Sequence, residues 1–252
     1  INHPLDCPIC DQGGECQLQD LAVGYGDSGS RYAEPKRVVF RKNLGPLISA
    51  EEMSRCIHCT RCVRFGQEVA GTMELGMIGR GERSEIVSFV GKSIDSELSG
   101  NMIDLCPVGA LTSYTYRFRA RPWDIEDAGS VCNLCPSQCN VKFSIRDEEV
   151  LRVLARDNED VDDGWLCDKG RFGFQSFTAP DRITQPMLRG GDGALAPISW
   201  DDALERVSAA LRSAGEKAAV LCGGGTTNEE GWLLGRILRE GLGGAAIDSG
   251  AH

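Results

Sequence analysis

The residues best equipped for chemistry lie at the start of the chain. His3, Cys7, Cys10 and Cys16 fall within His3–Cys16, HPLDCPICDQGGEC. Two further cysteine sets follow. Cys56, Cys59 and Cys62 stand at two-residue separations, joined far downstream by Cys106, which precedes Pro107. Cys132, Cys135 and Cys139 precede a distant Cys167. Together the sets use eleven of the twelve cysteines and leave only Cys222 over. Thiolate sulfur, with neutral imidazole as an occasional substitute, ligates iron–sulfur clusters and zinc. Closely spaced C-x2-C groups without an export signal point to such metal or redox chemistry rather than to disulfides.

The first spacing, His3-x3-Cys7-x2-Cys10-x5-Cys16, suits an iron–sulfur cluster with one imidazole ligand. Replacing thiolate by imidazole removes a negative charge and raises the potential, as in Rieske centres. Gly13-Gly14 would let the loop fold back so that Cys16 faces the same cluster. One histidine with three cysteines also suits tetrahedral zinc, and spacing alone leaves that reading open. In the second set, three corners of a cube are wrapped by one loop and the fourth comes from a distant Cys-Pro, as in bacterial ferredoxins. Structural zinc sites come instead as two separated pairs. His58, inside that loop, is expected to point away or to bond a carbonyl. The third set, Cys132-x2-Cys135-x3-Cys139-x27-Cys167, is compatible with either a cluster or zinc. Lys169 and Arg171 follow its last donor and would set positive charge beside an anionic cluster, although taken alone they read better as an ordinary solvated turn.

Little other chemistry remains. Cys222 follows an apolar stretch and reads as a small structural hydrophobe. Gly223–Gly225 precedes a helix, but no lysine occupies the P-loop position, so nucleotide hydrolysis is not expected. The alternation Arg117, Arg119, Arg121 reads as a solvated strand face or a subunit contact. No Ser–His–Asp or Cys–His arrangement survives once the metal donors are assigned. No catalytic residue is predicted, and the chain reads as an electron carrier.

The elements that must position these donors follow from periodicity and breakers. A helix is predicted at Glu15–Val23, a strand at Arg37–Phe40, a turn at Gly45–Pro46 and a helix at Arg61–Ala70. A strand at Glu85–Val90 and a helical segment at Ser99–Leu105 follow. Composition shifts around Arg121–Gly129, where a domain boundary is placed. Val141–Ile145 and Val150–Leu154 read as a β-hairpin, and Glu159–Gly164 as an acidic turn. Beyond Pro180 the pattern becomes α/β. Ser199-x-x-Asp202 caps a helix over Ala203–Ala214, Ala218–Leu221 is a short buried strand, and Thr226–Glu229 open a helix to about Glu240.

Composition limits the partners. The formal charge of −10 repels a phosphate backbone, which argues against nucleic acid and for protein subunits. No apolar run approaches the eighteen or so residues of a membrane span, and no secretory signal is visible. Glycine, at 31 of 252 residues, exceeds the usual share of about 7%, as expected where backbone passes close to bulky inorganic groups or where loops are long. The start at Ile1, with a candidate ligand at position 3, leads us to expect a piece of a longer polypeptide.

Four stretches, HPLDCPICDQGGECQLQD, RCIHCTRCVRFGQEVAG, SELSGNMIDLCPVGALT and WLCDKGRFGF, resemble the large iron–sulfur subunit of respiratory complex I, NADH–quinone oxidoreductase (the G subunit in bacteria). The resemblance covers residues 1–180 and extends more faintly over 181–252. It implies an α+β chain: a loop-rich, ferredoxin-like iron–sulfur domain, then a small β-hairpin cluster domain, then the start of an α/β molybdopterin-oxidoreductase-like domain. The implied divisions are 1–26, 27–124, 125–181 and 182–252. Three 4Fe–4S clusters are implied, on His3/Cys7/Cys10/Cys16, Cys56/Cys59/Cys62/Cys106 and Cys132/Cys135/Cys139/Cys167. Family members carry a further 2Fe–2S cluster in an N-terminal domain whose cysteines are not in this sequence. The implied partners are a flavin-bearing NADH-oxidising subunit and quinone-side iron–sulfur subunits. The implied location is the cytoplasmic face of the bacterial inner membrane, or the matrix side in mitochondria. An iron–sulfur/molybdopterin subunit of an NAD-linked formate dehydrogenase is the alternative reading, and a zinc-stabilised assembly module is a third.

Overall fold

The computed structural model describes residues 2–249, which divide into two compact units. The first comprises residues 1–132 and 139–174; the second comprises 133–138 and 175–252.

The first unit opens with a tight 3-10 turn at Cys7–Ile9 and helix α1, Gln17–Tyr25. Strands β1 (Lys42–Asn43) and β2 (Ile48–Ala50) then form a three-stranded antiparallel sheet with β5 (Thr112–Ser113). Between β2 and β5 lie α2 (Arg61–Glu68), the antiparallel pair β3 (Leu75–Ile78) and β4 (Glu85–Ser88), and α3 (Asn101–Leu105). These short elements share one apolar core in which Ile48, Ala50, Phe65, Met102, Val108 and Leu111 are almost fully buried. Their brevity follows from the loops given over to cysteines. Little chain is left for regular structure.

The predicted strand at Arg37–Phe40 does not form. The amide of Arg37 donates to Asn2 Oδ1, and that of Val39 to Ser54 Oγ. With its amides committed to side chains, the segment has no ladder, and Val38 and Phe40 point into solvent. The predicted helices at 15–23, 61–70 and 99–105 are found, with ends moved by a few residues.

The remainder of this unit is a three-stranded antiparallel sheet, β6 (Glu126–Val131), β7 (Asn140–Arg146) and β8 (Glu149–Ala155), in the order 6-7-8. The β7–β8 hairpin turns through Asp147 and Glu148, both at positive φ (53° and 63°), the backbone that a two-residue primed turn requires. Alternate residues Leu151 and Val153 face inward. The short helix α4, Asp168–Phe172, follows Cys167. Strand β6 was not anticipated, because EDAGSV lacks apolar alternation; as an edge strand it is largely exposed.

The second unit contains a hairpin of β9 (Met187–Arg189) with β10 (Leu195–Pro197) and a β11–α6–β12 unit. Here β11 (Val220–Leu221) and β12 (Ile247–Asp248) are parallel, and α6 spans Asn228–Arg236. Helix α5, Trp200–Ala214, starts three residues before the predicted Ala203, directly after its cap: Ser199 Oγ accepts from the Asp202 amide at 3.1 Å. Thr227 and Glu230 form a reciprocal capping box on α6. The strand at 218–221 is shorter than expected and is not buried, since Leu221 is 76% exposed.

Candidate metal centres

The second donor set is the most completely assembled. Cys56 ends a 3-10 turn, Cys59 and Cys62 flank the start of α2, and Cys106 follows the last residue of α3. All four line one cavity with Met53, Ile86, Val108 and Leu111. Non-glycine residues at positive φ allow so tight a loop: His58 and Thr60 both adopt 58°. The environment is apolar, and burial pushes the Cys62 thiol up from its ordinary 9.0 to about 12, reinforced by repulsion from Cys106, Cys56 and Cys59. Burial likewise raises Cys56 and Cys106. Four converging thiols in a dry cavity are poor anions on their own, and a cationic iron core is the partner that would make thiolates of them. Three backbone groups already favour that charge, because Val108, Leu111 and Ala110 offer hydrogen bonds to Cys106. The donor set therefore fits a 4Fe–4S cluster.

In the first set His3 and Cys10 share the neighbourhood of one ion pair. Arg55, 3% exposed, donates to Asp6 Oδ2 at 2.8 Å. His3 and Cys10 both feel Asp6 and Arg55, and Cys10 feels Cys16. Cys10 and Cys16 are buried, whereas Cys7 is exposed at the start of its turn, where its carbonyl accepts from the Cys10 amide at 3.2 Å. Burial lowers the pKa of His3, which favours the neutral imidazole that a metal ligand must be. Its Nδ1 is buried without a hydrogen-bond partner among the described residues, an orphaned lone pair that a metal would satisfy. Glycine is required nearby: a Cβ on Gly109 would collide with Cys10 Sγ, and one on Gly13 would lie 2.8 Å from the Cys7 carbonyl. These residues also fit the cluster read from their spacing.

Sequence reasoning missed Arg121. Residues 117–121 form turns rather than a strand face. The Arg121 guanidinium reaches over 100 residues back to the first loop, donating to the carbonyls of Pro8 (2.7 Å), Cys10 (2.7 Å) and Gly13 (3.2 Å). Its neighbours serve ion pairs, Arg117 with Glu51 and Arg119 with Glu149. Only the reach of the side chain, invisible to local pattern, separates a loop clamp from a surface charge.

In the third set, Cys132, Cys139 and Cys167 belong to the first unit, and Cys135 lies in the 133–138 segment of the second. The Cys132 amide donates to the Cys139 carbonyl at 2.8 Å, which closes the loop. Cys167 caps α4, its sulfur accepting from the Gly170 amide at 3.4 Å. A Cβ on Gly170 would stand 3.4 Å from Cys132 Sγ, so the two cysteines meet across this glycine. Arg171 is no solvated turn residue. It is 3% exposed and pairs with Asp104 at 2.6 Å. Asp168 accepts from Ser99 Oγ and the Gly100 amide, both at 2.6 Å. Through these contacts the segment that follows Cys167 is fastened to the helix that precedes Cys106. Cys222 is half-buried beside β11, its amide bonded to the Asp248 carbonyl.

Among the described residues, no three His, Cys, Asp or Glu groups are spaced to hold a single metal ion. Nor is any helix among them long and apolar enough to cross a membrane.

Successive parts of the chain match models of iron–sulfur proteins. Residues 1–31 match the NADH-ubiquinone oxidoreductase-G iron-sulfur binding region, and 45–112 the ferredoxin-like domain of NADH-quinone oxidoreductase subunit 3. Residues 128–178 match the molybdopterin oxidoreductase Fe4S4 domain, and 182–252 molybdopterin oxidoreductase. Fold and donor sets together define an iron–sulfur protein of mixed helix and sheet. Among curated relatives, the mitochondrial NADH dehydrogenase [ubiquinone] iron-sulfur protein 1 of Solanum tuberosum is 45% identical over 243 residues, 96% of this chain and 33% of that protein. The G subunit of NADH-quinone oxidoreductase from Rickettsia conorii is 43% identical over 96% of this chain and 36% of its own length. That of Rickettsia bellii is 47% identical over 84% of this chain and 31% of its own. The chain belongs to this family, that of the NADH–quinone oxidoreductase G subunit and its mitochondrial counterpart. It spans about a third of the length of these relatives.

Proposed function

We propose that the chain binds three 4Fe–4S clusters and relays electrons within an NADH–quinone oxidoreductase. The ligands are His3, Cys7, Cys10 and Cys16 for the first, Cys56, Cys59, Cys62 and Cys106 for the second, and Cys132, Cys135, Cys139 and Cys167 for the third. The observation that carries the reading is the convergence of the four second-set cysteines on one apolar cavity. A bound cluster accepts and donates one electron at a time. The protein itself does no covalent chemistry on a substrate; it sets ligand type, burial and hydrogen bonding around each cluster. Segments 1–26, 27–124 and 125–181 each serve one cluster, and 182–252 begins a molybdopterin-oxidoreductase-like domain. Electrons enter from a flavin-bearing NADH-oxidising subunit and leave towards quinone-side iron–sulfur subunits. The assembly lies in the peripheral arm, on the cytoplasmic face of a bacterial inner membrane or the matrix side in mitochondria. The 2Fe–2S cluster of the family would be carried outside this sequence.

Two measurements test this. Protein purified without air should contain iron and acid-labile sulfide in the proportion of three clusters per chain; a colourless product containing zinc and no iron would refute the proposal. Cys59→Ala should abolish one low-temperature paramagnetic signal of the reduced protein and leave the others. If every signal survives, the second site is wrong.

A further inference from the structure

Arg37 has no role in the donor sets, yet its side chain is built into the second of them. Nη1 lies 2.7 Å from His58 Nε2 and donates to the carbonyls of Ser84 (2.7 Å) and Glu82 (3.3 Å). Nη2 donates to the carbonyl of Cys56 at 3.3 Å. A guanidinium only donates, so His58 Nε2 must be the acceptor, which leaves Nδ1 to carry the ring proton. His58 is thereby turned away from the thiols as a brace for Arg37, in keeping with its left-handed backbone. Every one of these acceptors is neutral. Among the described residues no carboxylate lies within ion-pair distance of Arg37, in contrast to Arg55, which Asp6 neutralises. Arg37 is thus a whole positive charge, fixed by four contacts against the backbone of a ligand cysteine.

We infer that Arg37 is a positioning residue that raises the reduction potential of the cluster held by Cys56, Cys59, Cys62 and Cys106. The physics is simple. Reduction adds one negative charge to the cluster, and a fixed nearby cation stabilises the reduced state more than the oxidised one. Because four acceptors hold the guanidinium, it cannot swing into solvent and be screened as a free surface arginine is. The inference rests on the second set being a cluster site, and the experiment separates the two.

Arg37→Lys, which keeps the charge, and Arg37→Gln, which removes it but can still donate to carbonyls, are to be made in the complete subunit within its complex. Redox titration followed by low-temperature paramagnetic resonance reads each cluster, with the Cys59→Ala variant identifying the second-site signal. Replacing Arg37 by Gln should cut the reduced-to-oxidised ratio of that cluster at fixed applied potential about tenfold relative to Arg37→Lys, equal to a downward shift of about 59 mV for one electron. The third-site signal should not move. Equal potentials in the two variants overturn the inference, as does loss of the second-site signal from both, which would make Arg37 structural only. Failure of Cys59→Ala to remove any signal overturns instead the cluster reading beneath it.

Discussion

Asn101 offers the sharpest test of how the cysteine loops are held. Its side chain is 1% exposed and uses all its hydrogen-bonding capacity. Nδ2 donates to the carbonyls of Leu98 and Leu166, each at 2.9 Å; Oδ1 accepts from the Leu166 amide at 3.0 Å and from Arg171 Nη2 at 3.2 Å. Asn101→Leu preserves volume and deletes all four bonds. The Leu98 carbonyl keeps the Asn101 amide, and Arg171 keeps Asp104. The Leu166 amide and carbonyl lose the asparagine, and Leu166 is fully buried, so water cannot replace it. Two orphaned groups at about 1–3 kcal/mol each give a loss of about 2–6 kcal/mol, against a total stability on the order of 5–15 kcal/mol. The loss should appear in urea denaturation as a lower midpoint, and in hydrogen exchange as a collapse of protection at Leu166 and Asp168. A midpoint shift worth under about 0.5 kcal/mol, the scale of an ordinary surface substitution, would refute the claim that this asparagine couples the segment before Cys106 to that around Cys167.

Two further outcomes follow from the donor sets. His3→Cys adds a negative charge at the first site and should lower that cluster's potential in a redox titration; an equal or higher value would remove His3 as a ligand. In metal-free protein, Cys62 holds its proton to about 12 rather than the ordinary 9.0, so the folded form binds more protons than the unfolded form between those values. The stability that this preference supplies is complete below pH 9 and is lost as pH rises towards 12. Urea melts of the metal-free chain at pH 8 and pH 10 should show the decline, and Cys62→Ser should flatten it.

Three of the four cysteines that line one cavity stand in a single short spacing motif, which is a local property, and so is the cap at Ser199, whose bond reaches only three residues. The error at Arg37–Phe40 has the opposite cause. Arg-Val-Val-Phe has strand character, but the partners that decide its fate, Asn2 and Ser54, lie 35 and 15 residues away from the amides they capture. Arg121 and Arg171 escaped for the same reason, since each acts across a long separation on a loop that sequence reading treats independently. Strand β6 was hidden because an exposed edge needs no apolar alternation to pair.

The left-handed backbone at His58 and Thr60 has one more consequence. Each such residue costs about 1–3 kcal/mol outside glycine, and Thr60, being β-branched, is among the least suited to it. Whatever closes the four thiols around itself must offset that tension. Once emptied, the loop should be the first stretch of its unit to spring open, which would turn a sheltered sulfur cage into exposed, oxidisable thiols.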